Sequence, residues 1–138
     1  MPSTAQQDAI LKVCKLAMEI GDAYSCSDSV AQLMAYAAKA RGWGAWNQAA
    51  APYSQNGKLR KGRIDLLMVV DGLAVGIEVD KFDIKAKSIT KLQGIPSLAA
   101  RLCIITRGEI DSLPEGVDAV LSIRTQRLVT REGFTVIA

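Results

Sequence analysis

Arg63-Ile64-Asp65-Leu66-Leu67-Met68-Val69-Val70-Asp71-Gly72-Leu73-Ala74-Val75-Gly76-Ile77-Glu78-Val79-Asp80 reads as two strands joined by a two-residue turn. Asp-Gly between aliphatic runs is a strong turn signal, because both central positions of such a turn need positive φ. The turn sets Val70 opposite Leu73, Met68 opposite Val75 and Asp65 opposite Glu78. Side chains alternate along a strand. One face then carries Ile64, Leu66, Met68, Val70, Leu73, Val75, Ile77 and Val79, an unbroken core wall. The other carries Arg63, Asp65, Leu67, Val69, Ala74, Gly76, Glu78 and Asp80. It is apolar near the turn and acidic at the far end.

Like charges directly opposite on a sheet destabilise it. Three arrangements reconcile the chain to that cost. A hard divalent cation sits between the carboxylates, one carboxyl keeps a proton, or the strand ends are solvated. The pairing alone leaves all three open.

The chain has 138 residues and a formal net charge of +3, which suits one domain, residues 1–138, with a full core. No apolar run approaches the roughly 18 residues of a membrane span, and the start has neither a basic region nor a long apolar stretch. Cys14, Cys26 and Cys103 read as reduced thiols of a cytoplasmic protein, not as a disulfide frame. Histidine is absent, which removes imidazole-activated nucleophiles and imidazole-dependent zinc sites. Chemistry must come from carboxylates, lysines and a metal. Lys58, Arg60, Lys61 and Arg63 precede the acidic cluster, and Lys81, Lys85, Lys87 and Lys91 follow it. Such bracketing suits a polyanion, although charge runs are also common on plain solvated faces.

The remaining elements follow from periodicity. A first helix is capped by Ser3 or Thr4, presents Ile10, Val13, Cys14, Ala17 and Ile20, and ends on a left-handed Gly21. A second begins near Ser27 to Ser29, presents Val30, Leu33, Met34 and Ala37, and stops at Gly42. A short strand covers 43–48, and 49–62 reads as a loop. Asp83 is placed to cap a helix carrying Ile84, Ser88, Leu92 and Ile95. Strands at 101–106 and 117–123 and a hairpin about Arg131-Glu132-Gly133 complete the chain. The fold class is α/β (α+β), a mixed sheet flanked by helices with a C-terminal β-hairpin. Glu19 shares a polar face with Lys12 and Lys15 and reads as surface, while Trp43 and Trp46 fit the core better than a base-stacking role.

The stretch from Val30 to Thr106, with Asp65 before the turn and Glu78-Val79-Asp80-Lys81 after it, resembles the PD-(D/E)XK, or restriction-endonuclease-like, nuclease superfamily. The resemblance implies an αβββαβ core. It implies Asp65 and Glu78 as carboxylates for Mg2+ or Mn2+, with the Val79 carbonyl as a further ligand. Ile64 stands where the family often has Pro, and Asp80 where it usually has Lys. Asp80 is then a ligand or a base for water, and Lys85, or less well Lys81, is the relocated lysine. Lys58, Arg60, Lys61, Arg63 and Lys87 are the expected contacts to nucleic acid, in the first instance DNA. The expected function is a metal-dependent endonuclease; the alternative is a non-catalytic nucleic-acid-binding or protein-interaction domain of the same fold. A third reading is a small α/β domain with solvated acidic strand ends. A domain this small often dimerises to cut both strands, so a homodimer is compatible, with no interface legible.

Overall fold

The computed structural model describes residues 4–21 and 27–137, so Ser3 and Cys26 lie outside it. Its helices are α1 (Thr4–Gly21), α2 (Ser27–Ala40) and α3 (Ala86–Gln93). Its strands are β1 (Gly44–Ala50), β2 (Tyr53–Gln55), β3 (Lys58–Arg60), β4 (Arg63–Val70), β5 (Leu73–Asp80), β6 (Ala100–Ile105), β7 (Ala119–Ser122), β8 (Arg127–Thr130) and β9 (Gly133–Val136). Seven strands form a mixed sheet in the order β1-β4-β5-β6-β7-β8-β9, and β2 and β3 pair separately. β5, β6 and β7 are parallel and the other pairs antiparallel, as a crossover through α3 requires. Among the described residues no helix is long and apolar enough to cross a membrane.

The central hairpin keeps its expected register: Val70 pairs with Leu73 and Met68 with Val75. Asp71 and Gly72 take φ of 53° and 78°, the paired positive values of a type I′ turn. Leu66, Met68, Val70, Val75, Ile77 and Val79 are buried with α1 and α2 on one side of the sheet. A second cluster on the other side joins Leu92, Leu98, Cys103, Ile105 and Val120.

Several expectations are corrected. Ile64 leaves the first wall and packs in the second cluster. The β1–β4 ladder skips the 48/65 pair, and Gln48 there has φ 55°, so the strands bend and the alternation resets. Gly21 is not left-handed; a Cβ on it would meet Ile123 Cγ2 at 2.5 Å, so its use is close packing. Gly42 does end α2 with φ 80°. Its N–H donates to the Lys39 carbonyl and that of Trp43 to Ala38, a Schellman arrangement. The buried stripe of α2 runs through Ala31, Met34, Ala35 and Ala38, so Leu33 and Ala37 are only half-buried. Trp46 is 53% exposed and not core, because β1 is an edge strand. Segment 49–62 is not a plain loop: Asn56-Gly57, with φ of 52° and 75°, closes the β2–β3 hairpin. Asp83 does not cap α3, whose N-cap is Lys85 with no side-chain cap of its own.

Candidate active site: a carboxylate pair where two strands part

The β4–β5 ladder ends at the Leu66–Ile77 pair, whereas β5 stays paired to β6 as far as Asp80–Ile105. The two strands of the hairpin therefore part just where Asp65 and Glu78 face each other. Backbone donors that lose a ladder partner inside a protein need a substitute. The two carboxylates supply it. Asp65 Oδ2 accepts the Val79 N–H at 2.7 Å, and Glu78 Oε2 accepts the Asp65 N–H at a long 3.4 Å.

Glu78 is only 2% exposed, so a solvated strand end is not the answer for it. Burial, reinforced by a hydrogen bond to the Asp65 side chain and opposed by Lys91, pushes its carboxyl from 4.5 up to about 8. A proton or a cation between the two groups remains. Part of that cation is already present: Lys91 Nζ lies 2.6 Å from Glu78 Oε1 and donates to the Arg63 carbonyl at 2.9 Å. The ammonium meets Oε1 off the hydrogen-bonding direction, so this buried oxygen has charge compensation but no directed donor.

Asp80 lines the same cleft yet is otherwise engaged. Its Oδ2 accepts the Lys85 N–H at 3.3 Å and the Ser88 hydroxyl at 3.0 Å. A carboxylate beside the first free amides of a helix is stabilised by them and by the helix dipole. Asp80 thus does for α3 what Asp83 was expected to do.

The cleft, about 710 Å³, is also lined by Lys81, Lys85, Lys87 and Lys91. Among the described residues, the ammonium groups of Lys81 and Lys85 make no ion pair with the carboxylates; Lys81 lies over the Phe82 ring at 5.4 Å. Lys61, Arg63, Lys87, Lys91 and Gln48 line a neighbouring cleft, so Lys87 and Lys91 border both. Lys58 and Arg60 lie on the exposed β3. Glu19 is exposed and paired with Arg41 at 2.7 Å, well apart from this site's lining.

Lys91, placed by the sequence only within the basic run after the hairpin, is the lysine that reaches Glu78. Its signal was the i, i+4 spacing from Lys87, one helical face beside the buried Ser88 and Leu92. Gln48, held at positive φ next to Asp65, carried no such signal.

A divalent ion would find few side-chain ligands here. Among the described residues no three acidic or thiol side chains gather closely enough to hold a metal alone. Cys103, beside Glu78 in register, is pushed up to about 12 by burial and the neighbouring carboxylates, so it stays a thiol. What remains is two adjacent carboxylates and the Val79 carbonyl. The Asp80 carbonyl accepts from Thr106 on the β6 side. Alternation then turns the Val79 carbonyl the other way, towards Asp65 beyond the end of the ladder. Few protein oxygens, completed by water and phosphate, suit Mg2+ better than an all-protein cage would. No family model, curated protein or solved structure matches the chain.

Proposed function

We propose that this protein is a Mg2+- or Mn2+-dependent nuclease of the restriction-endonuclease-like kind that hydrolyses DNA phosphodiester bonds. The observation that carries the reading is the buried Glu78 facing the half-buried Asp65 across a strand fork, with Lys91 against Glu78 and lysines along the cleft. The series α2, β1, β4, β5, α3, β6 supports it too, being an αβββαβ order with the β2–β3 hairpin inserted. A phosphodiester is a poor electrophile because it is anionic, so cations at the phosphate are what the reaction needs. Asp65, Glu78 and the Val79 carbonyl would hold the ion, which supplies Lewis acidity and a more acidic bound water. Glu78 has to give up its proton to take part. Lys91 neutralises charge at that carboxylate and is the nearest side-chain cation for charge developing on the phosphate. Asp80 positions Lys91 indirectly, by securing the N-terminus of α3. Lys81, Lys85 and Lys87 line the approach. A cytoplasmic location goes with this reading.

The test is nicking of supercoiled plasmid and of labelled oligonucleotides with Mg2+ or Mn2+. Lys91→Ala should lower the rate by about a hundredfold, the scale for losing one charge-stabilising donor, and Lys85→Ala by less than about tenfold. The reading fails if purified protein cuts nothing with either ion, or if Asp65→Asn and Glu78→Gln cut as well as the parent. A non-catalytic nucleic-acid-binding or protein-interaction domain is the second reading. It is favoured by Asp80, which stands in the lysine position and is spent as a helix cap. Salt-dependent DNA binding without cleavage is its signature.

A further inference from the structure

The β2–β3 hairpin is not needed to build the carboxylate site, yet it is anchored beside it. Its root is fixed. Tyr53 and Ala51 are buried, and the Ala51 N–H donates to the Gly62 carbonyl at 2.8 Å. A Cβ on Gly62 would come within 2.6 Å of the Ala51 carbonyl, so the two arms of the root are in close contact. Beyond the root every residue from Ser54 to Lys61 is exposed. The type I′ turn at Asn56-Gly57 makes this a twisted two-stranded ribbon with defined faces. Lys58 and Arg60 lie opposite Gln55 and Tyr53, and Leu59 lies opposite Ser54 on the other face.

Four features point to one partner. Between Ala51 and Ile64 the chain has Lys58, Arg60, Lys61 and Arg63 and no acidic residue. Lys58, Arg60 and Lys61 make no ion pair among the described residues. Leu59 is 81% exposed, a large apolar side chain held out between two cations. From the root, Lys61 and Arg63 run on through Lys87 and Lys91 into the carboxylate cleft, so ribbon and cleft form one basic path.

We infer that the β2–β3 hairpin is a groove-reading arm that enters the major groove of B-form DNA while the neighbouring phosphate lies at the Asp65–Glu78 cleft. The inference rests on reading the cleft as a nucleic-acid site, and it names the substrate as duplex DNA. A two-stranded ribbon fits the major groove, about 12 Å wide, and not the minor groove at about 6 Å. With the Leu59 face turned to the groove floor, Leu59 suits the thymine methyl, and Lys58 and Arg60 on the other face suit the flanking phosphates. The major groove of A-form RNA is too deep and narrow for such side chains.

Binding is measured by fluorescence anisotropy in EDTA, so that no cleavage is required, on matched duplex DNA, duplex RNA and single-stranded DNA. Groove occupancy is read by dimethyl sulfate footprinting, which reports guanine N7 in the major groove and adenine N3 in the minor groove. Duplex DNA should bind at least about tenfold tighter than duplex RNA. The double variant Lys58→Ala/Arg60→Ala should flatten the log-affinity slope against log salt by about 1.8, two phosphate contacts at about 0.9 each. Leu59→Ser should remove N7 protection while leaving that slope unchanged. Equal affinity for both duplexes, protection confined to adenine N3, or arm variants indistinguishable from the parent would each overturn the inference. Arm-dependent N7 protection in a protein that never cuts would uphold the arm and sink only the nuclease reading. Cleavage with the arm variants unaltered would do the reverse.

Discussion

Glu78 concentrates the cost of this site in one carboxyl group. Its value is 4.5 as an ordinary glutamate and about 8 in the folded protein. Between those values the folded state keeps a proton that the unfolded chain has released. The associated stability is fully present below 4.5 and is lost as pH rises through about 8. Metal-free protein should therefore melt at lower temperature as pH climbs through that window. The loss should be on the order of 2 kcal/mol, less than a lone group would give, because Lys91 compensates the ionised carboxylate. Glu78→Gln should flatten this dependence and melt higher than the parent above pH 8, read by calorimetry in EDTA. A parent whose melting point ignores pH across the window would contradict the buried, protonated carboxyl. Gln48 belongs to the same neighbourhood: its φ of 55° is a conformation that side chains seldom adopt, and strain of this kind gathers near working sites.

α3 reaches the site through its first turn, and that turn depends on Asp80. Asp80→Ala should remove two hydrogen bonds at the helix N-terminus and cost about 1–2 kcal/mol in urea unfolding. Asp80→Asn, which keeps an acceptor oxygen, should recover most of that. Under the nuclease reading Asp80→Asn should also retain cleavage within a few fold; complete loss would instead make Asp80 a ligand. The strand end carrying Asp80 is held from the other side by the segment after β6, where the Arg107 and Gly108 N–H groups donate to the Lys81 carbonyl at 2.8 and 3.0 Å. A Cβ on Gly108 would fall 1.9 Å from the Phe82 carbonyl oxygen, and backbone cannot yield as a side chain does. Gly108→Ala should thus destabilise by more than about 2 kcal/mol, beyond most overpacking substitutions. Gly76→Ala, which meets the ends of Leu98 and Leu92, should cost less, and the opposite order in urea unfolding would refute the close approach.

Across the fold, a seven-stranded mixed sheet carries α1 and α2 on one face and α3 on the other, with the carboxylates where β4 leaves β5. If the pair takes a divalent ion, Mg2+ at about ten times its Kd should add about 1.4 kcal/mol, a rise of about 3–6 °C in Tm for a chain of this size. The rise should vanish in Glu78→Gln. An unchanged Tm in the parent at millimolar Mg2+ would remove the metal from the reading. Much of this architecture was open to inspection in the residues alone. The Asp71-Gly72 turn and strict two-residue alternation determined the hairpin, its register and the meeting of Asp65 with Glu78, because those are short-range consequences of backbone sterics. Asn56-Gly57 carried the same signal for β2–β3, masked by the basic and Pro-containing residues around it. Other features depended on contacts between segments far apart in the chain. Packing of α3 across β5 decided that Asp80 would cap the helix and that Lys91, not Lys85, would reach Glu78. The bend at Gln48 turned Ile64 to the other face, and β1's place at the sheet edge left Trp46 in solvent. Local chemistry fixes which way a strand turns, but which lysine meets a buried carboxylate depends on how a helix docks, and docking is settled by the summed burial of the two cores.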